Sequence, residues 1–148
     1  MKNFVGITSC LLMASCGGST KVEDLNTTEV TMPNGKIIVA ETMVNGFELG
    51  RGMMFRESLP QDRGMLFMHT KEDHYPYWTY NCKFPLDMLW MDHDHRIVEI
   101  SAKTPPCTAT SAKECPQYGG TKSAQYVLEL NGGRAEALGL KIGDTLSF

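Results

Sequence analysis

Apolar residues in this chain come in short runs closed by turn-forming residues, and that spacing limits what it can build. Lys36–Thr42 (KIIVAET) follows Asn34-Gly35, Leu86–Met91 (LDMLWM) follows Pro85, and Gln125–Leu130 precedes Asn131-Gly132-Gly133. Runs of this length, rich in Val, Ile and aromatic residues and punctuated by Gly, Pro and Asn, read as strands. Met65–Met68 is apolar on both faces, as an interior strand would be. Arg96–Lys103 alternates Val98, Ile100 and Ala102 with Glu99, Ser101 and Lys103, and Asp92-His93-Asp94-His95 joins it to Leu86–Met91, so the pair reads as a hairpin with one solvated face. The run Tyr77–Cys82 is expected to be extended, ended by Pro85. Tyr126, Leu128 and Leu130 are expected to point inward, which puts Glu129 outward. Thr145–Phe148 would be a last strand.

Helical signals are sparse. Asn45-Gly46 opens a short segment through Leu49, and Arg134–Leu138 follows Gly132-Gly133 with Gly139 placed to cap it. The expected fold class is therefore mainly β, a small mostly antiparallel barrel or sandwich with one or two short helices.

The first residues, MKNFVGITSCLLMASCGG, carry one positive charge, an apolar stretch from Phe4 to Ala14, and then Cys16. This has the form of a secretory signal, too short to span a bilayer. Met13-Ala14-Ser15-Cys16 is similar to a bacterial lipobox, in which cleavage exposes a cysteine that takes acyl chains. Residues 1–15 are expected to be a signal peptide and 16–35 a lipid-anchored tether. A single domain, 36–148, follows. Two or more chains on Cys16 would anchor the protein to the bacterial envelope, on the periplasmic face where there is an outer membrane.

With 14 basic against 17 acidic residues and no like-charge block, the net charge of -3 argues against a nucleic-acid partner, which needs clustered Lys and Arg. The ten Met residues are scattered, as core fillers are.

Removing Cys10 with the signal and Cys16 to the lipid leaves three cysteines. Cys107 and Cys115 share a Pro- and Thr-rich loop, and in an oxidising compartment a disulfide is favoured over a two-thiolate zinc site. Closing so short a loop contributes about 2 to 3 kcal/mol. Cys82 is then a small buried hydrophobe, or a nucleophile if a base sits beside it.

Four segments in order, RGMMFRESLPQDRGMLF (Arg51–Phe67), YWTYNCKFPLDMLWMDHDHRIVEI (Tyr77–Ile100), PPC…CPQY (Pro105–Tyr118) and YVLELNGGRAEALGLKIGDTLSF (Tyr126–Phe148), resemble the motifs of the domain of unknown function 192 family, in a lipoprotein-type member. The resemblance implies a small β-rich, barrel-like domain, often secreted or membrane-tethered, with no established reaction. This chain departs from the usual motifs in three places. Gly52-Met53-Met54 replaces Gly-Leu-Met, Tyr77–Cys82 replaces Phe-Trp-Met-Lys-Asn-Thr, and His95 stands where the hairpin turn usually has Gly.

The family-matched polar residues Arg51, Arg56, Trp78, Asn81 and Asp87 form the candidate ligand site. An Arg fork holds a carboxylate, an indole stacks on a sugar or cation, and an amide with a carboxylate reads hydroxyls. The competing reading pairs Arg51 or Arg56 with Asp87 inside the fold and has Asn81 closing a turn. Asp92, His93, Asp94 and His95, with His69 or His74, are weak metal ligands because they sit on a turn. Asp87 with Glu129 or Asp92 could serve as an acid–base pair only if their environments pushed them apart. No cofactor or metal is expected and no complete catalytic set is present. The expected function is a binding or accessory module for a small polar or carbohydrate-like envelope ligand. The alternatives are a carbohydrate hydrolase or lyase using Asp87, and a structural envelope protein with a protein partner.

Overall fold

A computed structural model describes residues 26–148. The expected signal peptide, the lipidation residue Cys16 and the start of the tether lie outside the described residues. Six strands form one sheet: β1 (Thr27–Thr31), β2 (Ile37–Met43), β3 (Arg63–Asp73), β4 (Leu86–Met91), β5 (Ile97–Thr104) and β6 (Ala124–Asn131), in the order β1-β2-β3-β6-β4-β5. Only β2 and β3 pair in parallel, joined across helix α1 (Gly46–Arg51); the other neighbours are antiparallel. Helix α2 (Arg134–Leu138) follows β6, and Gly139 caps it in the left-handed conformation.

The protein is thus mainly β and mostly antiparallel, but its sheet is mixed and does not close. Thr145–Ser147 is not a strand. It makes isolated bridges to Arg96 and Thr31, tying the two edges of the sheet together at one end. β1 lies within the stretch expected to be a tether, so the sheet includes residues ahead of position 36. Its TTEVT sequence alternates weakly, and the strand exists through its register with Ile37–Glu41 on β2.

Both faces of the sheet are covered. On one, Val30, Ile38, Leu66, Leu89, Leu128 and Leu130 pack with Ala135 and Leu138 of α2 and with Leu146. On the other, Met65, Phe67, Met88, Trp90 and Val127 pack beneath Met53, Leu59 and Cys82 from the loops. Every residue of β4 is buried in consequence. Six of the methionines, Met32, Met43, Met53, Met65, Met88 and Met91, are core residues, as their scatter suggests.

The second face carries the site, and loops build its walls. Asn45 caps α1 through a reciprocal box with Glu48: its side chain accepts from the Glu48 amide at 3.0 Å, and Glu48 reaches back to the Asn45 amide at 3.5 Å. The helix ends at Gly52, whose φ of 46° suits glycine.

Candidate functional site

The aromatic run is not the expected strand. Tyr77–Cys82 is a loop laid over the second face and fixed by isolated pairings, Tyr77 to Tyr118 and Tyr80 to Cys107. Buried Trp90 donates its indole N–H to the Tyr75 carbonyl at 2.8 Å. The ring of Tyr77 stands edge-on to Phe67 and Trp90, at 5.1 and 5.9 Å between centroids. The segment that pairs with this loop through Tyr118 crosses Trp90 closely at Gly119, where a Cβ would lie 2.3 Å from the Trp90 ring. Cys107 and Cys115 form the expected disulfide, with Cα atoms 5.7 Å apart. The Cys107 amide donates to Thr79 O at 3.1 Å, so the cross-linked loop buttresses the aromatic one.

Between the loop and α1 lies a cavity of about 310 Å³, lined by Arg51 and Met54 from the helix end, Phe67, His69 and Glu129 from the sheet, and Tyr75, Tyr77, Trp78 and Cys82 from the loop. Trp78, 39% exposed, forms part of the rim. A shallower hollow of about 550 Å³ adjoins it, bounded by exposed Phe47 and Phe55 and sharing Gly50, Arg51 and Met54.

Glu129 is the decisive residue. It was expected to face solvent, yet it is only 3% exposed, because the loops cover the face on which it lies. Its Oε2 is buried without a hydrogen-bond partner among the described residues. Burial raises its pKa to about 8, against an opposing pull from Arg56, so the carboxyl is mostly protonated at neutral pH. Its cross-strand neighbours, Met65 and Met88, are apolar.

Three titratable groups that line the cavity with Glu129, on His69, Tyr77 and Cys82, are held neutral. Burial lowers the pKa of His69, whose Nε2 lies 3.1 Å from the Tyr77 hydroxyl. Burial, with Glu129 nearby, pushes the Tyr77 phenol well above its ordinary range and the Cys82 thiol up to about 12. A thiol so hard to ionise is a poor nucleophile.

The five expected ligand residues divide. Arg51 and Trp78 line the cavity; Arg56, Asn81 and Asp87 are not among its lining residues. Asp87 is fully buried on the opposite face, where its carboxylate accepts main-chain N–H groups from Lys103 at 2.6 Å, Gly133 at 2.9 Å and Ala135 at 2.7 Å. Those bonds anchor the start of α2, so Asp87 does not contribute to a shared site. Arg56 forms a two-pronged pair with Glu41 at 2.6 and 2.5 Å, and neither arginine pairs with Asp87. Asn81 occupies a turn at φ 54°, a conformation asparagine tolerates, and its carbonyl accepts from the Phe55 amide at 2.9 Å. The turn histidines diverge in partner: His93 pairs with Glu72, while His95, at φ 61°, stacks on Phe148. Sequence reasoning placed Glu129 outward and weighed it only as an acid–base partner for Asp87, leaving it out of the ligand set. The available signal was Val127, an apolar neighbour two positions away on the same face.

Fold and site define a small mainly β domain with an aromatic-walled cavity over a buried acid. The family pattern for DUF192, described as "Uncharacterized ACR", matches residues 28–148, and the chain belongs to that family. Two crystal structures are similar. One is a protein of unknown function from Novosphingobium aromaticivorans DSM 12444, 29% identical with a TM-score of 0.72, covering 86% of this chain and 89% of that one. The other is a candidate transcription regulator from Sinorhizobium meliloti 1021, 28% identical with a TM-score of 0.68, covering 80% and 89% respectively. No curated protein matches the sequence.

Proposed function

We propose that this chain is an exported, lipid-anchored binding module whose aromatic-walled cavity takes a small polar ligand, with carbohydrate-like envelope compounds among the class. The observation that carries the reading is the buried Glu129 carboxyl with an unpartnered oxygen beneath that cavity. A buried polar atom without a partner costs free energy that a ligand hydrogen bond would recover. The lipobox-like residues before Cys16 and the Cys107–Cys115 disulfide support an oxidising envelope compartment.

Acid–base turnover gets less support. Asp87 spends its carboxylate on main-chain amides, and Glu129 is the only carboxylate among the lining residues, whereas glycoside hydrolysis ordinarily uses two. The regulator description of one structural relative finds little support here, since a net charge of -3 without a basic cluster suits nucleic acid poorly.

The test is a thermal-shift screen of the full chain with neutral sugars, carboxylates, amines and cell-wall fragments, repeated in Trp78→Ala and Glu129→Gln. At least one compound should raise Tm in the parent and not in the variants. A screen in which no compound acts through either residue overturns the proposal.

A further inference from the structure

Resting on the binding reading, the geometry points to a ligand class: we propose that the cavity recognises an ammonium group, seated against Glu129 and enclosed by the rings of Phe67, Tyr75, Tyr77 and Trp78. Three observations converge. Glu129 is the only carboxylate among the lining residues, and its Oε2 lacks a partner among the described residues. Four aromatic side chains line the same space, and ring faces attract ammonium ions when both are withdrawn from water. The cation that acts on Glu129, half-buried Arg56, is already neutralised by its two-pronged pair with Glu41, which leaves the acid without a counter-ion of its own.

The groups facing Glu129 favour this over an anion. From β3 comes Met65 and, further along the same cavity, the neutral His69; from β4 comes Met88, and from the aromatic loop come the Tyr77 phenol and the Cys82 thiol, both held protonated. Arg56 acts at a distance from the loop after α1. Arg51, exposed at the end of α1, is the cation among the lining residues and could pair with an anionic far end of the ligand.

Seating a cation there requires the carboxyl to ionise. Binding of a permanently charged ammonium therefore releases a proton from Glu129 and strengthens as pH rises. With a pKa of about 8, the ionised fraction climbs from about one part in a hundred at pH 6 to about half at pH 8, so affinity should rise by more than about tenfold.

The experiment is calorimetric titration of the full chain in phosphate at pH 6 and pH 8. Choline serves as the fixed charge, ethanolamine, lysine and glucosamine as amines from lipid headgroup, amino acid and sugar, and glucose and acetate as neutral and anionic probes. Saturable binding of choline or an amine, tighter at pH 8 for choline, lost in Glu129→Gln and kept in Glu136→Gln, supports the proposal; which amine binds best identifies the source. Thermal melts of both variants verify folding. Binding of glucose or acetate alone, or amine binding unchanged in Glu129→Gln, overturns the ammonium assignment and leaves the binding module standing. The absence of saturable heat for every cation at millimolar concentration overturns the assignment as well, and a blank in the thermal-shift screen besides would remove the binding reading.

Discussion

Two buried carboxylates on opposite faces show how environment decides what an acid does. Asp87 is surrounded by main-chain N–H donors and is structural. Replacing it with Ala leaves three amides unpaired and should cost about 3 kcal/mol or more, read from urea unfolding. Cavity ligands should bind the folded fraction unchanged. Glu129 has an unpartnered oxygen, and its linkage sign follows from its raised pKa. The folded state binds the proton more tightly than the unfolded one, so Glu129's contribution to stability is fully present below about pH 4.5 and is lost as pH climbs through about 8. Glu129→Gln, which is never charged, should therefore gain on the parent across that window. Melting curves of the two proteins should draw apart between pH 5 and 9, with the variant relatively more stable at the alkaline end. Parallel curves would refute this.

Among the elements, the cavity walls depend on features far from it in sequence. The disulfide holds the loop that carries Trp78 and Cys82 through the Cys107–Thr79 hydrogen bond and the Tyr80–Cys107 bridge. The double variant Cys107→Ser/Cys115→Ser should lose about 2 to 4 kcal/mol and expose Trp78 further, measurable as a red shift in fluorescence and faster acrylamide quenching. At Gly52, a Cβ would come within 3.0 Å of the Phe67 ring and 3.7 Å of the Glu129 Oε2, at a φ that disfavours side chains. Gly52→Ala should cost about 1 to 3 kcal/mol and weaken binding of any cavity ligand, checked by unfolding and calorimetry together.

These elements also show what the sequence reveals. Helix α2 and its Gly139 cap, strand β4 and the β4–β5 hairpin are legible because their signals are local: a capping glycine, Pro85 before a run of apolar residues, and turn residues between strands. Strand β1 is not legible, since Thr27–Thr31 owes its conformation to β2. The aromatic run misleads because Tyr and Trp have strand propensity, while Gly119, the buttressing disulfide and Trp90 fold the segment over the sheet instead. Arg51 and Trp78 are found by family-matched polar and aromatic types. Glu129 escapes because alternation along β6 is read against solvent, and both faces of this sheet are covered by chain from elsewhere.

At the scale of the whole molecule, one sheet separates two interiors with different tasks. The face bearing α2 is closed and apolar, with Asp87 as its fully bonded polar anchor, and Leu146 seals the end where the C-terminal segment links both sheet edges. The other face is covered by loops that leave a cavity over a protonated acid. Everything proposed about ligands depends on that carboxyl lying buried and unpartnered in the ligand-free protein, the same burial that raises its pKa. The most direct measurement is a carbon-detected NMR titration of the Glu129 side-chain carboxyl in the ligand-free protein, assigned with Glu129→Gln. The account predicts a midpoint near pH 8. A midpoint near 4.5, the ordinary glutamate value, would mean the carboxyl is solvated or paired, and would contradict it.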